Sequence, residues 1–350
     1  MKIGIIGATG YTGIELLRLL ASHPSRAEVS VITSRQEEGK DLTSLFPALS
    51  GLANYDQLKY EAPEAGELAG RADIFFMAAP HGAAMGLTPA LLKNGARIID
   101  LSADFRLRRP ETFKEWYQEH TAPDLLPQAV YGLPEIYADK IRKAALVANP
   151  GCYPTSVILA LAPLLKQGPA LADDLPVIAD SASGVTGAGR GAALGTSFCE
   201  ASDNFKAYKV VGHRHTPEIE QELSALAGRP VQAAFTPHLA PLNRGILSTV
   251  YVRPQSRVQD DELRDLYAAF YARAPFVRVR PLGFEPQTAD VRGSNFCDIS
   301  LFFDQRTGLL KIVSAIDNLC RGASGQAVCN YNLMTGQEET AGLLSAALRP

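Results

Sequence analysis

The chain has 350 residues, of which 46% are hydrophobic and 20% charged, with a net charge of -3. This length suits two domains with separate cores. The near-neutral charge, with no run of Lys and Arg, argues against nucleic-acid binding, and no apolar stretch reaches the roughly 20 residues of a membrane helix.

The five cysteines give no sign of a disulfide framework or a zinc site. Their number is odd and no C-x-x-C pair occurs. The amino-terminal residues lack the apolar core and cleavage site of a signal peptide. We therefore expect a cytoplasmic protein without a metal.

The first stretch of the chain predicts a nucleotide-binding unit. A strand at 2–6 runs into Gly7-Ala8-Thr9-Gly10-Tyr11-Thr12-Gly13, and apolar residues then recur at helical spacing from 14 to 20. The pattern G-x-x-G-x-x-G is a variant of the dinucleotide fingerprint, in which small residues let the backbone approach a pyrophosphate at a helix start.

The end of the next predicted strand, 28–32, indicates which dinucleotide binds. An NAD site usually has Asp or Glu there to hold the ribose 2′-hydroxyl. This chain has Ser34 and Arg35 instead. A hydroxyl and a cation suit a 2′-phosphate, so we predict NADP.

Further strands at 73–79, 97–100 and 146–148, with a helix at 83–92, predict a doubly wound parallel sheet. Ligands collect at the carboxyl ends of such strands, where Pro80-His81 and Ser102 to Arg106 fall. We interpret His81 as a turn residue near the cofactor. The Arg106 guanidinium suits a phosphate or carboxylate.

The turn at residues 149–155 delivers Cys152 to the start of an apolar helix over 157–165. Pro154 suits a first helical turn. The positive end of a helix dipole favours the thiolate, which is the nucleophilic form of cysteine. A buried structural cysteine remains the alternative at this point.

The second half predicts a different kind of sheet. Strands at 176–183, 231–236, 245–252, 296–303 and 309–316, with a helix at 260–274, fit a mixed, largely antiparallel sheet with an apolar face for a second subunit. The glycine-rich loop at 184–191 suits an anion or is a plain surface loop. The last helix, rich in small residues, is expected to pack on the first domain.

His213 and His215 precede a helix for which Thr216 is the predicted cap. The pair admits three interpretations, which are an acid or base for chemistry at Cys152, a metal pair, and a structural pair. The metal interpretation lacks further ligands at a suitable spacing.

Eight segments together carry a resemblance that covers nearly the whole chain. They lie at 7–13, 100–106, 131–135, 150–155, 183–190, 213–219, 235–239 and 244–246. With them the chain resembles the N-acetyl-γ-glutamyl-phosphate reductase family, whose wider relatives are aspartate-semialdehyde and glyceraldehyde-3-phosphate dehydrogenases.

The resemblance implies an α/β plus α+β architecture. A Rossmann-type NADP-binding domain would span 1–148 with 321–350, and a catalytic and dimerisation domain 149–320. It implies NADPH-dependent reduction of the acyl phosphate to the semialdehyde through a cysteine thioester, in arginine biosynthesis. The protein would be a homodimer or homotetramer acting on a small molecule, with neither nucleic acid nor membrane as partner.

The resemblance also implies roles for particular residues. Cys152 is the expected nucleophile, assisted by His215 or His213, with His215 preferred. Cofactor contacts are expected at Gly7, Thr9, Gly10, Tyr11, Thr12, Gly13, Ser34, Arg35, Pro80, Ser183, Gly184, Gly187 and Asn318. Substrate contacts are expected at Arg106, Ser102, Asn149, Glu218 and His238.

Two alternatives remain open. One is the aminoadipyl-phosphate reductase of lysine biosynthesis, and the other is a non-catalytic nucleotide sensor of the same fold. Gly151 precedes the cysteine where the semialdehyde dehydrogenases carry asparagine, which favours the N-acetylglutamyl branch.

Overall fold

The computed structural model describes residues 1–25, 27–172 and 175–349. The chain divides into two compact units. The first comprises Met1–Pro150 and Ala323–Leu344, and the second comprises Gly151–Gly322 and Ser345–Pro350.

The division differs from the expected boundary at the end of the chain, because the expected first domain includes all of 321–350. Leu348 accepts hydrogen bonds on its carbonyl from Arg292 at 2.9 and 3.1 Å, and Arg349 pairs with Asp290. These contacts join the last residues to the second unit.

The first unit contains a seven-stranded, entirely parallel sheet in the order β3-β2-β1-β4-β5-β7-β6. Its central strands are almost continuously buried, as expected when helices cover both faces. The strands are β1 (Lys2–Ile6), β2 (Glu28–Thr33), β3 (Tyr60–Glu61), β4 (Ile74–Met77), β5 (Arg97–Asp100), β6 (Val130–Tyr131) and β7 (Leu146–Ala148).

In the described residues of this unit, seven α-helices accompany the sheet. They are α1 (Tyr11–Ala21), α2 (Leu42–Leu45), α3 (Ala65–Leu68), α4 (Ala83–Lys93), α5 (Pro110–Trp116), α6 (Pro134–Lys143) and, from the end of the chain, α11 (Gly325–Met334). All ten residues of α11 are buried, and the helix packs on α1 and α6. Edge strand β6 and helix α6 lie in a region for which the sequence patterns predict neither a strand nor a helix.

The second unit contains a mixed seven-stranded sheet in the order β12-β13-β14-β11-β8-β10-β9. Four of its strand pairs are antiparallel, and the pairs β8/β10 and β12/β13 are parallel. The strands are β8 (Val177–Gly184), β9 (Lys206–Ala207), β10 (Ala233–Ala240), β11 (Ile246–Val252), β12 (Val277–Val279), β13 (Cys297–Asp304) and β14 (Leu309–Ile316). The predicted fold class is therefore confirmed.

Within its described ranges, the second unit has the α-helices α7 (Cys152–Gln167), α8 (Phe198–Ala201), α9 (Thr216–Ala227) and α10 (Asp260–Phe270). Helix α7 is the central one, and it packs on α9, α10, β11 and β14. Pro163 lies inside α7 and has no N–H for the Leu159 carbonyl, so Tyr271 Oη donates to that carbonyl at 2.5 Å.

Buried serines connect α7 to the sheet below it. The Ser248 hydroxyl lies 2.7 Å from those of Ser156 and Ser181, and Ser314 Oγ donates to the Ser156 carbonyl at 3.1 Å. All four serines are fully buried. Buried hydroxyls are tolerated when they are hydrogen-bonded, and directed bonds fix the position of the helix on the sheet. In the described part of the chain, no helix is long and apolar enough to span a membrane.

Candidate active site

The glycine loop of the first unit is shaped by close backbone contacts. Gly7 has φ +82°, and a β-carbon there would lie 2.7 Å from the Ala78 carbonyl oxygen. A β-carbon at Gly13 would lie 2.6 Å from the Ala8 α-carbon, whereas one at Gly10 would meet nothing closer than 3.6 Å. Two glycines are therefore required by packing, and the third keeps the loop open at the start of α1. The residues fit a dinucleotide phosphate at this helix terminus.

The end of β2 lies against the same loop. Thr33 accepts the N–H of Ala8 on its carbonyl at 3.1 Å, and Thr9 Oγ1 is 3.4 Å from Ser34 Oγ. The Ser34 side chain is mostly buried, while Arg35 is exposed. A hydroxyl fixed beside the loop and a neighbouring exposed cation fit a 2′-phosphate.

Other predicted cofactor residues of the first unit have varied surroundings. Tyr11 begins α1 and is 37% exposed, and the Thr12 carbonyl accepts a hydrogen bond from Ser324 Oγ at 2.8 Å. Pro80 is exposed at the end of β4. His81 accepts the Ala103 N–H on Nδ1 at 3.0 Å, so its ring connects the turn after β4 to the segment after β5.

The segment after β5 forms a buried network of hydrogen bonds. Ser102 Oγ accepts the N–H of Asp104 at 3.1 Å. Asp104 in turn caps α4 by accepting the N–H groups of Gly82 and Met85 at 2.8 and 3.0 Å. Burial and then the charge of Asp104 raise the pKa of Asp100, and Arg106 opposes them. The expected substrate residue Ser102 thus has a clear role in shaping this loop.

Arg106 is 7% exposed and is oriented by main-chain carbonyls. Its Nε donates to the Asn149 carbonyl and its Nη2 to the Leu101 carbonyl, both at 2.8 Å. Asn149 is held in turn, because its Oδ1 accepts from Asn330 Nδ2 at 3.0 Å. Asn330 was not predicted. The sequence signal that could have identified it is an asparagine placed between Cys329 and Tyr331 in the last helix.

In the second unit, Cys152 is the first residue of α7 and Gly151 is its N-cap. The Gly151 N–H donates to Glu218 Oε1 at 2.8 Å, and Glu218 is 1% exposed. A β-carbon at Gly322 would lie 2.7 Å from that of Cys152. The cysteine is therefore partly exposed at a helix terminus whose backbone is fixed by a buried carboxylate and a close glycine contact.

The two histidines have different environments. His213 is 8% exposed, packs edge-on against Tyr153 and Phe235, and accepts the His215 N–H on Nδ1 at 3.1 Å. Burial lowers the pKa of His213 to about 4, with smaller contributions from the cations of Lys209 and Arg214. His213 is therefore neutral at pH 7.

His215 is partly exposed and is the N-cap of α9. The predicted cap, Thr216, was wrong by one residue. The Ile219 N–H donates to the His215 carbonyl at 3.0 Å, so the helical hydrogen bonds begin at His215.

Two tyrosines form a hydrogen-bonded chain beside Cys152. Tyr208 Oη donates to Tyr153 Oη at 3.1 Å, and Tyr153 Oη donates to the His238 carbonyl at 3.2 Å. Burial raises the pKa of Tyr208 to about 12, and the charge of Cys152 contributes in the same direction. The His238 ring lies 3.3 Å from Asp180. Neither tyrosine was predicted; Tyr153, next to the cysteine, was the easier one to find.

Asn318 holds the glycine-rich loop of the second unit. Its Oδ1 accepts the Gly245 N–H at 2.8 Å and its Nδ2 donates to Thr186 Oγ1 at 2.9 Å. A β-carbon at Gly187 would lie 3.2 Å from Ser183 Oγ, and one at Gly184 would lie 2.7 Å from the Asn243 carbonyl. Ser183, Gly184, Gly187 and Asn318 therefore form one tight cluster in this unit.

Comparison with known families places this architecture in a class. Residues 2–144 match the model described as semialdehyde dehydrogenase, NAD binding domain, and residues 152–318 match that described as semialdehyde dehydrogenase, dimerisation domain. Aspartate semialdehyde dehydrogenase II from Vibrio cholerae has the same fold, with a TM-score of 0.70 at 17% identity over 96% of this chain and 98% of that one. The Candida albicans enzyme, solved with NADP, gives 0.73 at 14% identity over 95% and 98%.

Closer relatives define the family within that class. The N-acetyl-gamma-glutamyl-phosphate reductase of Geobacter sulfurreducens is 55% identical over 351 residues, covering 100% of both chains. That of Desulfotalea psychrophila is 53% identical over 353 residues, again covering 100% of both. The chain belongs to the N-acetyl-γ-glutamyl-phosphate reductase family, and the expected resemblance is confirmed.

Proposed function

We propose that this protein is an oxidoreductase that reduces N-acetyl-γ-glutamyl phosphate to N-acetyl-glutamate semialdehyde, in arginine biosynthesis. NADP is the cofactor. The observation that carries this function is Cys152 at the first residue of α7, partly exposed beside the fixed Gly151 N–H. Full-length identity of more than half to reductases of that name supports the substrate.

The reaction begins with attack of the Cys152 thiolate on the acyl carbon. The bond from that carbon to the phosphate oxygen breaks, inorganic phosphate leaves, and a thioester remains on the sulfur. N–H groups at a helix start stabilise the oxyanion of the tetrahedral intermediate, each by about 3 kcal/mol in comparable enzymes. We assign Arg106 to bind the anionic substrate, because its guanidinium is oriented before substrate arrives.

The glycine loop with Ser34 and Arg35 holds the cofactor in this proposal. When bound, NADPH supplies the hydride that reduces the acyl carbon. After the hydride is added, the oxygen on that carbon is an oxyanion, which takes a proton to become a hydroxyl. The carbon–sulfur bond then breaks, Cys152 leaves as a thiolate, and the aldehyde forms as the hydroxyl loses its proton. We assign His215 to give this proton and to take it back. His215 is preferred over His213 because burial lowers the pKa of His213 to about 4, too low for a proton carrier near neutral pH.

We further propose that the protein works as a homodimer or homotetramer in the cytoplasm. The match of residues 152–318 to a dimerisation domain supports an oligomer. We keep Ser102, Asn149, Glu218 and His238 as proposed substrate-site residues. The contacts described above support a positioning role for Asn149 and Glu218.

The test is phosphate-dependent reduction of NADP by N-acetyl-glutamate semialdehyde, followed by nicotinamide absorbance. The aminoadipyl homologue, one methylene longer, serves as the competing substrate. We expect Cys152→Ser to lose at least about 10⁴-fold in turnover while binding NADPH normally. Near-normal turnover in that variant would contradict the thioester mechanism, and a preference for the longer substrate would favour the lysine-pathway alternative.

A further inference from the structure

The segment that follows β14 forms an unusual turn. A π-helical turn spans Cys320–Ser324, and the Gly322 N–H donates to the Asp317 carbonyl at 2.9 Å, five residues earlier in the chain. Turns with this hydrogen bond are rare, and they occur mostly as single turns at functional sites. We call residues 317–322 the π segment. All of it belongs to the second unit, as does Cys152.

The π segment packs against Cys152 more closely than a side chain would allow. A β-carbon at Gly322 would lie 2.7 Å from the Cys152 β-carbon and 3.2 Å from its α-carbon. Carbon atoms in ordinary contact lie about 3.5 to 4.0 Å apart. Neither cysteine atom is the end of a flexible side chain, so neither can move aside alone. The Gly322 backbone therefore limits the space that the Cys152 side chain can occupy.

The carboxylate of Asp317 holds the π segment in place. Its Oδ1 accepts the N–H groups of Leu319 and Cys320, both at 2.8 Å, and its Oδ2 accepts the Gly293 N–H at 2.7 Å. Arg244 Nη1 lies 3.7 Å from Oδ2 and compensates the charge of this fully buried group. Hydrogen bonds to a charged acceptor are stronger than neutral ones. Asp317 thus joins the start of the turn to the loop before β13.

We propose that Asp317 is a positioning residue for the reaction, because it holds the π segment so that Gly322 fixes the direction of the Cys152 sulfur. This inference rests on the proposed function, in which Cys152 is the nucleophile. Glu218 fixes the main chain before the cysteine through the Gly151 N–H. The π segment acts on the other part of the problem, which is the side chain of the cysteine itself.

The geometry gives the size of the effect expected for Gly322→Ala. The cysteine or the π segment has to move by about 1 Å to bring the two β-carbons from 2.7 Å to ordinary contact. A displacement of about 1 Å at a reacting group lowers a rate by about 100-fold, and we expect a loss of this size in kcat.

Alkylation of Cys152 by iodoacetamide measures the position of the sulfur without substrate. A sulfur displaced from the N–H groups at the start of α7 loses their stabilisation of the thiolate. In Gly322→Ala, alkylation should therefore reach half its maximal rate about one pH unit higher than in the unaltered protein. Mass spectrometry of the Cys152 peptide is needed, because Cys199 is exposed and also reacts.

Gly168→Ala is the matched control for this variant. Gly168 is the C-cap of α7, and a β-carbon there would lie 2.6 Å from the Leu164 carbonyl oxygen, so the overlap is of similar size. The 16 residues of α7 place it about 24 Å from Cys152. We expect a similar loss of stability in denaturant titration. The alkylation profile should be unchanged and kcat should stay within about threefold, because distant sites are largely independent.

Asp317→Asn tests the residue that holds the π segment. One carboxylate oxygen becomes an NH₂ group, which cannot accept an N–H bond. We expect kcat to fall by about tenfold, with a smaller shift of the alkylation profile in the same direction. Asp298→Asn is the control, because Asp298 is also fully buried but has Arg278, outside the π segment, as its ion-pair partner at 2.5 Å. Circular dichroism checks the folding of each variant.

Several outcomes would overturn the proposal. A folded Gly322→Ala protein with the kcat and the alkylation profile of the unaltered protein would exclude a positioning role for the π segment. Equal losses in Gly168→Ala would show a general effect of lost stability. Equal losses in Asp298→Asn would exclude Asp317 as the residue that holds the segment.

Two further results are separable from these. Asp317→Asn is the milder variant and decides the question if Gly322→Ala does not fold. Absence of reductase activity in the unaltered protein would contradict the proposed function, while the alkylation profiles would still test whether the π segment positions Cys152.

Discussion

Two helix starts in this molecule use the same backbone feature for different chemistry. Helices α1 and α7 each follow a glycine N-cap in extended conformation, so each presents main-chain N–H groups at its amino terminus. At α1 the space is kept open by glycine. At the amino terminus of α7, side chains surround the main-chain N–H groups, among them the Cys152 thiol and the buried Glu218 carboxylate.

The difference shows how a helix terminus acquires its function. A site for a preformed anion such as a pyrophosphate needs room, and residues without side chains provide it. A site for a nucleophile needs one thiol in a fixed direction, so its backbone has to be held by partners. We therefore expect added bulk to damage the first site and lost partners to damage the second.

Among the variants that test this comparison, the largest effect is expected for Gly13→Ala. Its β-carbon would overlap the Ala8 backbone at 2.6 Å, where nothing flexible can move aside. Overpacking of this kind costs about 3 kcal/mol in the free energy of unfolding, and the displaced loop should also bind NADPH poorly. Denaturant titration and cofactor titration measure the two effects.

Gly10→Ala is the matched control for this loop. Its β-carbon meets nothing closer than 3.6 Å and its backbone suits alanine, so unfolding should be unchanged within about 0.5 kcal/mol. NADPH affinity should nevertheless fall, because the methyl group lies in the space left for the cofactor. Unchanged affinity in this variant would contradict the assignment of the loop.

The next effect tests the partner at the other helix start. Glu218→Leu leaves the buried Gly151 N–H without its acceptor, and an unsatisfied buried donor costs about 2 kcal/mol in the free energy of unfolding. Because this N–H directly precedes Cys152, we also expect kcat to fall by about 30-fold, which corresponds to about 2 kcal/mol in the activation free energy. Glu218→Gln retains an acceptor oxygen and should lose much less. A rise in KM alone, equal in both variants, would instead indicate that Glu218 contacts the substrate.

The fold class could be predicted from the sequence, because each apolar strand or helix pattern lies within a short segment and such patterns recur along the chain. Strands β1, β5, β7 and β14 lie where the apolar runs predicted them. Edge strand β6 and helix α6 were missed, since a two-residue strand has no periodicity and the Tyr131-Gly132 pair reads as a turn. The cap of α9 was misplaced because Thr216 is the usual cap type, while the backbone bonds start at His215.

The partners of the candidate site were less predictable than the residues themselves. Cys152 and the glycine loop carry their chemistry in a contiguous motif. Asn330 reaches Asn149 across 181 positions, and Tyr208 reaches Tyr153 across 55. Such pairs arise only from tertiary packing, so no spacing rule in one sequence can join them.

A smaller effect, on cofactor affinity, is expected where the 2′-phosphate of NADPH is proposed to bind. Arg35 is exposed beside Ser34, and we propose that its cation contacts the 2′-phosphate of NADPH. Arg35→Asp should weaken NADPH by about tenfold more than NADH, or about 1.4 kcal/mol. Lys93→Asp reverses an exposed charge in the last turn of α4, in the same unit, and serves as the control. Equal losses for both cofactors in the Arg35 variant would show that it does not read the phosphate.

The smallest effect concerns His213, which the structure keeps neutral. Its pKa falls from 6.5 to about 4 on folding, so the unfolded chain binds more protons between these values. The contribution of His213 to the free energy of unfolding is therefore fully present above pH 6.5 and is lost as the pH falls toward 4. Between pH 8 and pH 6 the loss is about 1 kcal/mol.

His213→Asn isolates that contribution. Asparagine does not titrate, and its side-chain oxygen can accept the His215 N–H that His213 Nδ1 accepts now. The variant should lose stability at pH 8 through packing, but its unfolding free energy should decline less between pH 8 and pH 6. The pH profile of kcat tests the proton carrier. If kcat of the His213→Asn variant falls at low pH as it does in the unaltered protein, the result supports His215 as the proton carrier. If kcat of this variant no longer falls at low pH, the assignment would be reversed, because the catalytic group that titrates would then be His213.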